Sequence, residues 1–82
     1  MKAYTLVGVD GNAFAIMGYV RTAMKSAKMT KEDIDTYTKD ATSSDYYHLL
    51  VVSCEMIDKV NEILGLDEYE DYEDEDYPNI NK

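Results

Sequence analysis

Residues 6–18 read LVGVDGNAFAIMG, and this stretch decides how the first half of the chain folds. It is typical of a strand, a tight turn and the start of a helix, because three of the chain's four glycines, Gly8, Gly11 and Gly18, fall within it. Asn12 is the predicted N-cap of that helix. The first N–H groups of a helix lack partners and carry partial positive charge, so the turn is also a candidate anion site. The sequence leaves both interpretations open.

The residues before the turn predict a β-strand that needs a partner. The segment 2–9, KAYTLVGV, is rich in β-forming residues and largely apolar on both faces, so we expect the strand to be covered. A single strand is not stable alone, since its backbone polar groups are unpaired. We therefore expect it to pair with the same strand of a second subunit, which predicts a homo-oligomer.

Three helices are predicted after the strand, which gives a mostly helical α+β fold in the order βααα. The first is expected over 13–28, because apolar residues recur there at spacings of three and four. These residues are Phe14, Met17, Val20, Met24 and Ala27. Gly18 suggests close packing of this helix against another backbone. On another face, Arg21, Lys25 and Lys28 form a basic row.

Start and stop signals define the other two helices. Thr30 and the acids that follow it resemble a capping box, so the second helix is predicted over 31–41. The third helix is predicted over 45–64, with Ser43 or Ser44 as the N-cap and Gly65 just beyond its end. The residues expected to face inward are Ile34, Tyr37, Thr38, Ala41, Leu49, Leu50, Val52, Met56, Ile57, Val60, Ile63 and Leu64.

Charge divides the chain into two parts. The 82 residues have a net charge of −9, of which residues 1–64 carry −2 and residues 65–82 carry −7. We therefore expect one compact domain over 1–65 and a flexible, acidic, tyrosine-rich tail over 66–82. The acidic total argues against direct binding of nucleic acid, because its phosphates would be repelled.

Composition and motifs exclude several classes of protein. The single cysteine, Cys54, rules out an intrachain disulfide, and its apolar helical surroundings predict a buried thiol. A signal-peptide pattern and an apolar run of the ~20 residues that span a membrane are both absent, so we expect a cytosolic protein without membrane contact. Motifs for metal, phosphate or covalent chemistry are absent too, so no enzyme, metal site or cofactor is predicted.

A polar and aromatic cluster opens the third helix. Tyr46, Tyr47 and His48 follow one another there. His48 is the only histidine and would need a partner for acid–base catalysis, so we interpret it as a polar contact at an interface or in a ligand pocket. The tyrosines suit either stacking on a base or ribose, or an interface between subunits.

Three motifs give the chain a family resemblance. The sequences DGNAF at 10–14 and DYYHLL at 45–50, with TKEDI at 30–34, resemble a widespread family of small proteins encoded by tailed bacteriophages. The likeness covers roughly residues 4–54 and leaves out the acidic tail. It implies a bacteriophage protein acting in the cytoplasm of the infected bacterium, and it implies context rather than mechanism.

In that context we predict a non-enzymatic anti-defence protein, an oligomeric sponge that sequesters a nucleotide-derived signal of host immunity. The N–H groups of Asn12, Ala13 and Phe14 would hold phosphate. Arg21 and Lys25 would supply charge, and Tyr46 and His48 would stack or hydrogen-bond. The predicted ligand-binding residues are Asp10, Gly11, Asn12, Ala13, Phe14, Arg21, Lys25, Tyr46 and His48.

The alternative is a direct protein inhibitor. The acidic run 67–76 and its tyrosines would imitate nucleic acid and occupy the basic groove of a host nuclease or a CRISPR-type complex. A merely solubilising tail, or a factor that adjusts host transcription or assembly, stays open.

Overall fold

The computed structural model describes residues 3–66, which form three helices and no strand. Helix α1 is Ala13–Ser26, α2 is Lys31–Ala41 and α3 is Tyr46–Leu64. The predicted α+β class and its βααα order are therefore wrong, because the described part of the chain is all-helical. Residues 3–12 form an irregular segment ahead of α1.

A side chain takes the place of the strand's missing partner. The backbone N–H of Tyr4 donates to Oδ1 of Asn61 at 2.8 Å, and Nδ2 of Asn61 donates to the carbonyl oxygen of Tyr4 at 2.9 Å. One amide thus satisfies both backbone groups of a residue, as a neighbouring strand would. Because the described residues contain no strand, the predicted strand pairing is wrong, while the homo-oligomer itself stays a prediction.

Two tyrosines fix the rest of the N-terminal segment to α1. The hydroxyl of Tyr4 donates to Oγ of Ser26 at 2.8 Å, and the N–H of Thr5 donates to the hydroxyl of Tyr19 at 2.9 Å. The rings of Tyr4 and Tyr19 meet edge to face, with centroids 5.9 Å apart. The segment therefore lies against α1 and α3 together.

The β-forming residues near Gly8 make a turn. Gly8 has a φ of 87°, in the left-handed region that favours glycine. The N–H of Val9 donates to the carbonyl oxygen of Leu6 at 3.1 Å, which closes a four-residue turn. Backbone bonding within the segment leaves no extended run for a sheet.

Caps place the helix starts close to where the sequence predicts them. Oδ1 of Asn12 accepts the N–H groups of Phe14 and Ala15, which confirms Asn12 as the N-cap of α1. Thr30 and Asp33 form a complete capping box at the start of α2, also as predicted.

Of three other helix ends, one confirms the prediction and two differ from it. The N-cap of α3 is Asp45 rather than Ser43 or Ser44, because its carboxylate accepts the N–H of His48 at 2.9 Å. Gly65 ends α3 with a φ of 70°, which confirms its predicted place just beyond the helix. Helix α1 ends at Ser26 instead of residue 28, since Lys28 has a φ of 63° and cannot continue the helix.

The core lies where α1 and α2 both pack on α3. Its buried apolar residues are Ile16, Met17, Val20, Ala23, Met24, Ala27, Tyr37, Ala41, Leu49, Ile57 and Val60. Phe14 belongs to the apolar row predicted for the first helix, and Ile63 is among the residues predicted to face inward, but their side chains are 80% and 51% exposed. Gly18 was expected at a close backbone contact, yet a Cβ added there would meet nothing within 4 Å.

One hydrogen bond crosses the core. The hydroxyls of Tyr37 on α2 and Ser53 on α3 lie 2.7 Å apart, and both side chains are buried. Burial raises the pKa of the Tyr37 phenol, although the bond to Ser53 and the charge of Arg21 act to lower it. The bond lets two polar groups occupy an apolar core.

This pair predicts a strong coupling between two substitutions. Ser53→Ala leaves the Tyr37 hydroxyl buried without its partner, so we expect a loss of about 1–3 kcal/mol in the free energy of unfolding. Tyr37→Phe/Ser53→Ala removes both hydroxyls and should cost less than Ser53→Ala alone. Urea denaturation followed by circular dichroism measures the free energy of unfolding of Ser53→Ala, Tyr37→Phe and the double variant. A double variant that loses the sum of the two single losses would contradict the pairing.

Candidate functional site

A hydrogen bond joins the two helix starts that the sequence singles out. The hydroxyl of Tyr46, at the start of α3, donates to the carbonyl oxygen of Gly11, just ahead of α1. We call residues 10–14 together with residues 45–46 the helix corner. It brings six of the nine predicted ligand-binding residues to one end of the bundle.

A shallow cleft opens beside the helix corner. Its volume is about 240 Å³, and its lining includes Ala13, Met17 and Leu49, with Asp45 and Tyr46 among its polar residues. Pockets for small molecules usually have volumes of about 300–1,000 Å³ and enclose most of the ligand. The cleft is therefore better suited to a single side chain than to a nucleotide.

The backbone donors at the helix corner are mostly occupied by the chain itself. The N–H of Asn12 donates to Oδ1 of Asp10 at 3.0 Å, and the N–H of Phe14 donates to Oδ1 of Asn12 at 2.8 Å. Of the three N–H groups predicted to hold phosphate, only that of Ala13 has no acceptor among residues 3–66. The carboxylate of Asp10 also places negative charge where an anion would bind.

The predicted cationic residues lie far from the helix corner. Along a helix with a rise of about 1.5 Å per residue, Arg21 is ~14 Å and Lys25 ~20 Å from Asn12. Arg21 instead lies near Tyr37, where its charge favours the ionised phenol and acts to lower its pKa. The described structure does not gather these charges and the turn into one site.

His48 faces a different partner. Its Nε2 lies 3.0 Å from Oδ1 of Asp40, which ties the first turn of α3 to the last turn of α2. The hydrogen bond to Asp40 raises the pKa of His48, and the negative charges of Asp40 and Asp45 act in the same direction. Tyr46 and His48, predicted to act together, therefore have separate contacts.

An exposed row of largely apolar side chains on α3 differs from what the sequence predicts. Tyr47 is 73% exposed and Val51 37% exposed, and Cys54 is exposed as well. The prediction of a buried Cys54 thiol is wrong. The spacing of these residues, at i, i+4 and i+7, places them on one face of the helix. Because apolar residues occur on several faces of α3, the sequence does not indicate which face is exposed.

Comparison of the chain with protein-family models, with curated proteins and with solved structures finds no match. Within residues 3–66, none of the helices has the length and apolar character needed to cross a membrane. The same residues contain no group of histidine, cysteine and carboxylate side chains that could hold a metal ion. The acidic run 67–76 and the rest of the predicted tail after Leu66 lie outside the described residues.

The pair of His48 and Asp40 predicts a pH dependence. Folding raises the pKa of His48 above its ordinary value of 6.5. The protonated ring therefore stabilises the folded chain below pH 6.5, and this contribution is lost as the pH rises through the folded pKa. We expect Asp40→Asn to lower the pKa of His48 towards 6.5, which NMR titration of the only histidine can measure.

Asp35→Asn is the matched control for this titration. Asp35 is an exposed carboxylate on the same helix, and it pairs with Lys31 at 3.3 Å instead of with the histidine. Its substitution should leave the pKa of His48 close to that of the parent chain. Equal titration curves for the parent and Asp40→Asn would show that the two side chains do not pair in solution.

Proposed function

We propose that this chain is a non-enzymatic binding protein of tailed bacteriophages that acts on a host protein through its helix corner. The main support is Phe14, a large aromatic side chain that is 80% exposed and directly follows Ala13, which lines the apolar cleft. Aromatic side chains at the centre of a contact often supply most of its binding energy. The proposed place of action is the cytoplasm of the infected bacterium, and the proposed outcome is suppression of a host defence.

Three features favour a protein partner over a nucleotide. Two of the three backbone donors expected to hold phosphate are used within the chain. The carboxylate of Asp10 repels an anion at the same place, and the cleft volume of about 240 Å³ is small for a nucleotide. The exposed ring and the shallow apolar cleft are the features that a protein interface uses.

The nucleotide sponge and the acidic mimic of nucleic acid, both predicted from the sequence, differ from this proposal in the residues that they require. The nucleotide sponge stays a prediction, and it requires phosphate contacts that the helix corner supplies poorly. Inhibition by acidic mimicry depends on the run 67–76, which lies outside the described residues. The proposal therefore rests on the helix corner and needs no contribution from the tail.

The proposal predicts that Phe14 is needed for capture of one host protein. Tagged chain purified from a bacterial host should retain that protein in a fixed molar ratio. Phe14→Ala should reduce the amount retained at least tenfold, about 1.4 kcal/mol of binding free energy, because the anchoring ring is lost. Quantitative mass spectrometry of the purified complexes measures this ratio.

Thr22→Ala is the matched control, because Thr22 is also exposed on α1 but lies two turns away from the helix corner. Both variants should give the helical circular dichroism of the parent, since neither side chain is buried. Equal capture by the parent and Phe14→Ala would contradict the proposal. Release of a nucleotide on denaturation, with no host protein retained, would support the sponge instead.

A further inference from the structure

The outer face of α3 is exposed and carries a regular set of side chains. We define this face as Tyr47, Val51, Cys54 and Asp58, which recur at i, i+4, i+7 and i+11 and are all exposed. The opposite side of the helix carries the buried residues Ser53, Ile57 and Val60. The outer face therefore points away from those buried residues, and it presents Tyr47, Val51 and Cys54 to the surroundings.

Val7 extends this surface beyond the helix. Its side chain is 86% exposed, and it lines a groove of about 160 Å³ together with Cys54 and Asp58. The groove lies between the N-terminal segment and α3. Large contiguous patches of exposed apolar surface mark contacts with other molecules, and Val7 adds to the exposed apolar surface of α3.

The two ends of the outer face have complementary hydrogen-bonding groups. Tyr47 has a hydroxyl donor at one end, and Asp58 has a carboxylate acceptor at the other. Among residues 3–66, neither side chain has a hydrogen-bond or ion-pair partner. Val51 and Cys54 lie between them.

We propose that a second copy of this chain docks on the outer face, with the two α3 helices antiparallel about a two-fold axis. A two-fold contact requires a surface that is complementary to itself. With the axis between Val51 and Cys54, Val51 contacts the partner's Cys54 and Tyr47 meets the partner's Asp58. Both pairs have the same sum of residue numbers, as one antiparallel register requires.

This register matches the chemistry at each position. The Tyr47 hydroxyl donates to the partner's Asp58 carboxylate at both ends of the contact, and a hydrogen bond to an ionised acceptor is among the stronger kinds. Small apolar side chains meet at the axis, so no like charges face each other there. Each of the four residues on the outer face has a partner in the dimer.

The expected dimer is weak and leaves the helix corner free. Tyr47 and Asp58 are eleven residues apart, about 16 Å along the helix, so the contact is short. Interfaces below about 1,200 Å² in total are typical of transient association. Neither Phe14 nor Gly11 belongs to the outer face, so this inference is independent of the proposed host partner.

Sedimentation equilibrium of the full chain tests the dimer. We expect a reversible monomer–dimer equilibrium, and we expect Val51→Glu to raise its Kd at least tenfold, because the new carboxylate would be buried against the partner's Cys54 with no positive charge to pair with. Lys59→Gln is the matched control, since it also makes the net charge one unit more negative but lies on another side of α3. It should leave the Kd within about twofold. Circular dichroism confirms that each variant is folded.

A charge reversal tests the register separately from apolar contact. Tyr47→Arg should dimerise more tightly than Tyr47→Glu, because residue 47 faces the partner's Asp58. In a chain that also carries Asp58→Lys, the order should invert, and Tyr47→Glu should dimerise more tightly. The inversion excludes a simple effect of net charge, which would favour Tyr47→Arg in both backgrounds.

Cys54 provides a further measurement because it is the only thiol in the chain. A short bis-maleimide should convert the parent chain to a covalent dimer, and the yield should fall for Val51→Glu and stay high for Lys59→Gln. A parent chain that stays monomeric at millimolar concentration would overturn the proposal. So would an unchanged Kd for Val51→Glu, or the same order of Tyr47 variants in both backgrounds.

Discussion

The side-chain amide of Asn61 pairs with both backbone polar groups of Tyr4, and the position of the whole N-terminal segment depends on this contact. Backbone groups at a half-buried position need partners, and a sheet is the usual source. Here a residue near the end of α3 supplies them. A segment with strong β propensity can therefore remain irregular, and the described chain folds as three helices without a neighbouring strand.

That contact also sets the surfaces available for binding. The segment runs along α1 and α3, held by the hydroxyls of Tyr4 and Tyr19, before it turns at Gly8 and reaches the helix corner. There the hydroxyl of Tyr46 donates to the carbonyl of Gly11 and joins the starts of α1 and α3. Phe14 stays outside the core, while the carboxylate of Asp10 and the cap of Asn12 occupy the donors that an anion would need. The geometry therefore favours an apolar protein contact at this end of the molecule.

Local signals made the helices predictable, and distant contacts made the rest unpredictable. Asn12, Thr30 and Gly65 act within a few residues of their own helix ends, so residue type and spacing were sufficient to predict where those ends lie. The partner of Tyr4 lies 57 residues away, and nothing in the N-terminal segment points to it. Likewise, the motifs around Gly11 and Tyr46 could be recognised separately, but their meeting depends on how α1 crosses α3. The exposure of Cys54 was not predicted because apolar residues lie on more than one side of α3. The sequence alone therefore does not show which side faces the core.

Amide hydrogen exchange, measured by NMR on the parent chain and on Asn61→Ala, tests the central claim most directly. We expect slow exchange for the Tyr4 amide in the parent and fast exchange in the variant. Core amides such as those of Val20 and Val60 should stay protected in both, since the helices do not depend on the contact between Asn61 and Tyr4. Persistent protection of Tyr4 and of alternate amides through Val9 in Asn61→Ala would show a paired β-strand and contradict the account.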